Sequence, residues 1–380
     1  MQEARHLQQI QPSYIREILA AATAEGVISL AGGLPASDGF PLSLMAESIA
    51  QLPNTPALFQ YGETAGYRPL LAYLEEHYQV APTHRMLVCS GSQQGLDIIA
   101  RAFLNPGDGV AMEAPCYPGA LQVFAMATAC IHTVQQQATG PNLGELEALF
   151  ASGKVKLFYA VPDFHNPTGI SWTLETRKQV AALCRQYGVA LVEDAPYREL
   201  RFAGEALPLV ASFCPECSLV LRSFSKVSTP GLRLGVLSAP EDWLAPLIKI
   251  KQASDLHSSL PIQALLLDLI AHPQFPTHIQ QLCQMYSGRY QALASALSES
   301  LGRRCEFEPV KGGMFIWLKL PGFDPLTVAK AALSKGVAIV PANAFYPNDT
   351  APDSAIRLNF SHEAPDTLRT AVRRLASALV

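Results

Sequence analysis

The sequence predicts an α/β fold: a largely parallel sheet with helices on both faces, plus a smaller α+β domain. Three observations carry this. Short apolar runs alternate with helical patterns through the middle of the chain. A long stretch with few breakers, about 273–300, reads as one helix, and the element order changes after it. Hydrophobic residues are 49% and charged residues 16% of the chain, too apolar for disorder.

The first 45 residues read as a helix, Gln11–Thr23, followed by an extended arm punctuated by Pro35, Gly39 and Pro41. Residues 46–285 read as the large domain. Its strands are predicted at Arg85–Gly91, Gly109–Glu113, Val155–Val161, Val189–Glu193, Ser218–Phe224 and Leu232–Ser238. Helices are predicted at Ser92–Leu104 and Leu174–Tyr187. Residues 286–380 read as the small domain. Its strands are expected at Cys305–Pro309, Met314–Leu320, Val337–Val340 and Ile356–Phe360, its helices at Pro325–Ser334 and Pro365–Leu379. In open parallel sheets ligands collect past the carboxyl ends of the strands, so the loops there are the place to seek chemistry.

Composition excludes several classes. Twenty-eight basic against 32 acidic residues leave a net charge of −4 with no basic block, which disfavours nucleic-acid and membrane-surface partners. No run approaches a membrane span, and the first residues open no apolar signal region, so a cytoplasmic location is expected. The eight cysteines are irregularly spaced and read as small buried hydrophobes. Cys214-Pro-Glu-Cys217 has neither a second pair nor a nearby histidine, so no metal is expected.

Four strand-end motifs carry the chemistry. In Ser223-Phe224-Ser225-Lys226, with Arg233 seven residues on, a lysine amine suits a Schiff base with a carbonyl cofactor. The hydroxyls and the guanidinium suit a phosphate. Taken alone, the tetrapeptide reads more readily as a solvated lysine in a loop. In Val189-Ala-Leu-Val-Glu193-Asp194, followed by Tyr197, a strand delivers a carboxylate to its carboxyl end that suits a pyridinium nitrogen or simply caps a loop. His165-Asn166-Pro167-Thr168-Gly169 is a turn whose Asn166 amide suits a ring oxygen. Gly91-Ser92-Gln93-Gln94 opens a helix whose free N–H groups suit an anion.

Together these motifs resemble the class I/II aminotransferases of the fold type I pyridoxal-phosphate enzymes along nearly the whole chain. The resemblance is strongest to the 2-aminoadipate, aromatic and branched-chain branch, which is related to the aminotransferase-like domain of GntR-type regulators. Ile28-Ser-Leu-Ala-Gly-Gly33, Gln60-Tyr61-Gly62 and Gly312-Gly313-Met314-Phe315 match as well. The resemblance implies a seven-stranded large-domain sheet, pyridoxal 5′-phosphate and a homodimer. It implies that Lys226 carries the cofactor and shuttles the proton, that Asp194 meets the ring nitrogen, and that Asn166 and Tyr197 meet the ring 3-oxygen. Tyr117 would stack on the ring. Ser92, Gln93, Ser223, Ser225 and Arg233 would hold the phosphate, with Tyr61 reaching the neighbouring subunit's phosphate. Arg357 would fork the substrate α-carboxylate, with Gly33 and Asn166 beside it and Arg16 near the substrate's distal end. His165 replaces the glutamine common in the branch and is expected to face solvent.

The implied reaction is transfer of an amino group from an L-amino acid to a 2-oxo acid. The alternatives are a lyase or decarboxylase on the same cofactor, a silent scaffold, or a regulatory domain. Only about 27 residues precede Ile28, too few for a winged helix. Tyr14, Leu34 and Phe345 suit an apolar wall while Arg16 suits an acidic side chain. The sequence therefore permits 2-aminoadipate, glutamate, leucine-like and aromatic donors.

Overall fold

The computed structural model describes residues 24–347, 351–352 and 354–379, with Ala4, Leu7 and Ile18. The predicted helix Gln11–Thr23, and with it Tyr14 and Arg16, lies outside the described residues apart from Ile18.

The main sheet runs in the order His84–Cys89, Gly235–Pro240, Ser218–Ser223, Ala190–Asp194, Val155–Ala160, Gly109–Ala114, Cys130–Gln137, Gly140–Pro141. Neighbours from Ser218–Ser223 to Cys130–Gln137 pair in parallel. Gly235–Pro240 pairs antiparallel with both its neighbours, so His84–Cys89 points the same way as the parallel strands. Seven strands thus form the sheet, and the two-residue Gly140–Pro141 adds a hairpin edge. Cys130–Gln137 was missed in the sequence. Six of its eight residues are polar or small, and it lies near the sheet edge, where one flank faces water.

Side chains alternate across the sheet as strand geometry requires. Leu157 and Tyr159 join one core, Phe158 the other. Val192 likewise joins the first core and Leu191 the second. Both faces are apolar because both carry helices. Ser92–Phe103 packs on one side and Leu174–Tyr187 on the other. The second helix is well defined at both ends. Thr173 Oγ1 accepts from the Thr176 amide at 3.2 Å, and Gly188 closes it at φ +65°.

Beyond the long helix Phe275–Leu301, Phe315–Lys319, Ala355–Asn359 and Val340–Pro341 form a three-stranded antiparallel sheet. Val337–Ala338 pairs in parallel with Ile28–Ser29, so the N-terminal arm is sewn into this part of the molecule. The helix Pro365–Ala378 packs against Phe275–Leu301. The expected strand Cys305–Pro309 is not one: a single bridge, Glu306 to Lys319, is all it forms. Its residues alternate in polarity without a partner strand long enough to ladder with. Among the described residues no helix is long and apolar enough to cross a membrane.

The loop after Val155–Ala160 is held by a buried charge cluster. Asp163, 0% exposed, accepts from Arg177 at 2.7 Å, Arg201 at 3.0 Å and Arg198 at 3.1 Å. Arg177 is also fully buried and donates to the carbonyls of Pro162 and Pro208 at 3.0 Å. Removing one partner from such a cluster strands the other charge. Asp163→Ala is expected to lower the unfolding free energy by about 3–5 kcal/mol. Urea unfolding measures it, and a loss under about 1 kcal/mol would show that water replaces the carboxylate.

Candidate active site

The carboxyl ends of five strands meet at a cavity of about 520 Å³. Ser92 and Gln93 follow His84–Cys89, Tyr117 follows Gly109–Ala114, and Asn166 follows Val155–Ala160. Asp194 ends its strand, with Tyr197 just beyond. Ser223 ends the next, and Ser225 and Lys226 lie in the 3₁₀ turn after it. Arg233 lies on the way back into the sheet. Gly33 enters from the N-terminal arm and Arg357 from the small three-stranded sheet. The expected cofactor and α-carboxylate residues line this one cavity, except Tyr61; of the expected apolar wall, Leu34 is half exposed and Phe345 fully buried, and neither lines it. Tyr61 is 80% exposed, its ring edge-on to His257 at 6.0 Å. Arg16 lies outside the described residues.

Burial sets the electrostatics. The Lys226 amine donates to the Gly33 carbonyl at 2.8 Å. Loss of water, then the nearby Arg233 and Arg357 charges, bring its pKa down to about 8. The same loss of water raises the Asp194 carboxyl to about 7, opposed by a hydrogen bond from the Tyr159 hydroxyl to Oδ2 at 2.9 Å. Asp194 Oδ1 is buried and has no hydrogen-bond partner among the described residues. A buried carboxylate oxygen left open beside a cavity calls for a donor from whatever occupies that cavity.

Arg357 is 4% exposed and lowered to about 10 by burial. It donates to Asn166 Oδ1 at 2.8 Å and to the Ala31 carbonyl, while its Nε has no partner among the described residues. The Phe315 and Phe345 ring centroids lie 4.4 Å and 5.0 Å from the guanidinium carbon, so its faces are apolar while Nε keeps an unused donor. Burial pushes the Tyr117 phenol up to about 12, and its hydroxyl donates to Gln93 Oε1 at 3.1 Å.

At the other end lies the turn Ser90–Ser92. Gly91 begins the helix at φ +83° and offers no side-chain cap, leaving the first amides open. The backbone there, at φ +83° and ψ 167°, is one that side-chain-bearing residues rarely adopt, and a Cβ would also come within 2.9 Å of Arg233 Nη2. Arg233 Nη2 donates to the Ser90 carbonyl at 3.1 Å. Helix amides, three serines and a guanidinium around one end suit a phosphate dianion. The open Asp194 oxygen suits a ring N–H at the other end, and Lys226 suits a carbonyl carbon between them. The donor set therefore fits pyridoxal 5′-phosphate. Among the described residues no group of three or more His, Cys, Asp or Glu side chains could hold a metal ion.

Two readings change with the structure. His165 does not face solvent: it is 2% exposed, its Nδ1 lies 3.0 Å from Thr168 Oγ1, and burial lowers its pKa to about 3. It is a neutral ring that ties off the Asn166–Gly169 turn. Tyr159 was missed. It sits mid-strand in Val155–Ala160, and only the parallel pairing of that strand with Ala190–Asp194 brings its hydroxyl to Asp194.

Residues 25–375 match the family model for aminotransferases of class I and II. The chain is 35% identical to the 2-aminoadipate transaminase of Thermus thermophilus, over 97% of this chain and 94% of that protein. The crystal structure of Pyrococcus horikoshii kynurenine aminotransferase superposes with a TM-score of 0.94 at 32% identity, covering 99% of this chain and 96% of that one. The Thermus thermophilus α-aminoadipate aminotransferase, crystallised with N-(5′-phosphopyridoxyl)-L-leucine, superposes at 0.92 with 34% identity, covering 99% and 97%. This chain belongs to the class I and II aminotransferases and is a pyridoxal-phosphate-dependent transaminase acting on amino and 2-oxo acids.

Proposed function

We propose that the cavity moves an amino group between an L-amino acid and a 2-oxo acid, with glutamate and 2-oxoglutarate as one pair. The other pair would be 2-aminoadipate, an aromatic or a branched-chain amino acid with its oxo acid. The observation that carries the residue assignments is the buried, open Oδ1 of Asp194 in the same cavity as a desolvated lysine.

Bound pyridoxal phosphate supplies an electron sink conjugated to the donor's α-carbon. Lys226 Nζ would hold the cofactor between turnovers and would carry the proton that leaves the donor's α-carbon. Asp194 Oδ1 would accept from a protonated ring nitrogen, and the Tyr159 hydroxyl donates to the second oxygen, which favours the charged carboxylate. Asn166 and Tyr197 would donate to the ring 3-oxygen, and Tyr117 would cover one face of the ring. Ser92, Gln93, Ser223, Ser225 and Arg233 hold the phosphate, and Arg357 forks the α-carboxylate that every donor shares. The walls come from an arm (1–45), a cofactor-binding part (46–285) and a C-terminal part (286–380), and this division belongs to the same reading. Tyr61, exposed on its own chain, would complete a second copy's phosphate site in a homodimer. Sedimentation that finds an active monomer would overturn the shared site.

Only the neutral amine attacks an aldehyde. With its pKa lowered from 10.5 to about 8, Lys226 is mostly neutral above that pH and mostly charged below it. Capture of pyridoxal phosphate by the cofactor-free chain should therefore accelerate roughly tenfold per pH unit up to about pH 8 and then level off. Stopped-flow absorbance reads this, and a rise continuing toward 10.5 would mean that the amine is solvated.

Asp194→Asn should retain cofactor yet lose at least about a hundredfold in kcat, equivalent to roughly 2.7 kcal/mol. Tyr159→Phe, which removes one hydrogen bond to the same carboxylate, should lose about tenfold. If Asp194→Asn kept most of its kcat, another group would be pairing with the ring proton.

Donor choice is assigned to Arg16 from its place in the resembling sequence. A guanidinium facing a distal carboxylate contributes about 1.5–3 kcal/mol, roughly ten- to a hundredfold in kcat/KM. Across a panel of donors with 2-oxoglutarate, Arg16→Ala should lose that much for glutamate or 2-aminoadipate and spare leucine and phenylalanine. Equal losses for all donors would make Arg16 structural.

A further inference from the structure

We infer that Lys251 is a positioning residue for the phosphate end of the cavity, acting through Gln94. The inference rests on the phosphate assignment above and goes one layer behind it.

Lys251 lies in the helix Glu241–Asp255, which packs against the helix that opens at Ser92. Its side chain is 0% exposed. A buried ammonium needs three acceptors and a counter-charge. Lys251 has them all: Asp255 Oδ2 at 2.7 Å, Gln94 Oε1 at 3.0 Å and Ser258 Oγ at 3.0 Å. Its charge is balanced within the cluster by Asp255, so its remaining effect is geometric.

The geometry converges on one amide. Gln94 Oε1 accepts from Lys251 and also from the Ser90 backbone N–H at 2.7 Å. Gln94 Nε2 donates to Asp255 Oδ2 at 2.7 Å. A flipped amide would set its NH₂ against two donors and its oxygen against a carboxylate. Lys251 and Asp255 therefore fix which way Gln94 points, and Gln94 fixes the Ser90 amide. The Ser90 carbonyl is the acceptor that holds Arg233, and Gly91, Ser92 and Gln93 follow in sequence into the cavity. None of Lys251, Gln94 and Asp255 lines the cavity, yet together they set the orientation of the turn that does.

A role confined to folding would weaken every ligand alike. A role in shaping the phosphate cup weakens only ligands that carry a phosphate. The test is equilibrium binding of pyridoxal phosphate and of pyridoxal to the cofactor-free full chain, in four forms: wild type, Lys251→Met, Gln94→Leu and Arg233→Ala. Lys251→Met and Gln94→Leu should each raise Kd for pyridoxal phosphate about tenfold and leave that for pyridoxal within about twofold. Gln94→Leu keeps the test open should Lys251→Met fold poorly. Unchanged affinity for pyridoxal phosphate, or equal weakening of both ligands, overturns the inference. Arg233→Ala separates the two layers. If it too shows no phosphate-selective loss, the phosphate assignment itself falls; if it alone shows one, only the role of Lys251 does.

Discussion

Exclusion of water from the carboxyl edge of the sheet is the constraint on which the site depends. An amine, a carboxyl and a guanidinium are shut into one cavity. Burial pulls the amine down to about 8, the carboxyl up to about 7 and the guanidinium down to about 10. In water these groups would be fully charged and unreactive at neutral pH. Here the amine lies close to the point where a proton moves either way, which acid–base chemistry needs, while the open carboxyl is left to be held charged by a donor in the cavity.

What separates a reactive carboxylate from a structural one here is whether an oxygen is left open at the cavity. Four acidic side chains near this edge are buried. Glu113 accepts from Gln136 and Trp172 at 3.0 Å and 3.1 Å through Oε1, and although its Oε2 has no partner among the described residues, Glu113 does not line the cavity. Asp163 is taken up by three arginines. Glu193 accepts from the amides of Val210 and Ala211 at 3.1 Å and 2.8 Å. Asp194, the next residue, points to the opposite side of its strand, where only Tyr159 meets it and one oxygen stays open. The twofold period of a strand thus gives adjacent carboxylates different tasks. The Asp163 cluster has its own consequence for the site, because it anchors the loop that carries Asn166.

Much of this was legible in the sequence because the chemistry is local there. Strand, turn and reactive residue lie within ten positions of one another in Ser218–Lys226, Ala190–Tyr197 and Cys89–Gln93. Apolar runs marked the strands buried on both faces. Cys130–Gln137 was not legible, since an edge strand need not be apolar. Cys305–Pro309 misled for the opposite reason: alternation without a partner reads as a strand and makes none. His165 looked polar and loop-borne, but its turn folds back under the sheet edge and buries it. Tyr159 and Lys251 carried no signal of their own. One is an aromatic within an apolar strand, the other a lysine on a helix. Their partners lie 35 and 157 positions away and are found only by sheet pairing and helix packing.

The most direct test of a desolvated site built around an open carboxylate is nitrogen NMR of the holoenzyme loaded with ring-labelled pyridoxal phosphate. With Asp194 Oδ1 facing the ring nitrogen, the signal should be that of a protonated pyridinium through neutral pH and into the mildly alkaline range. An unprotonated pyridine signal at neutral pH, in a sample that still transaminates, would contradict the role given to Asp194 and the electrostatic picture built on it.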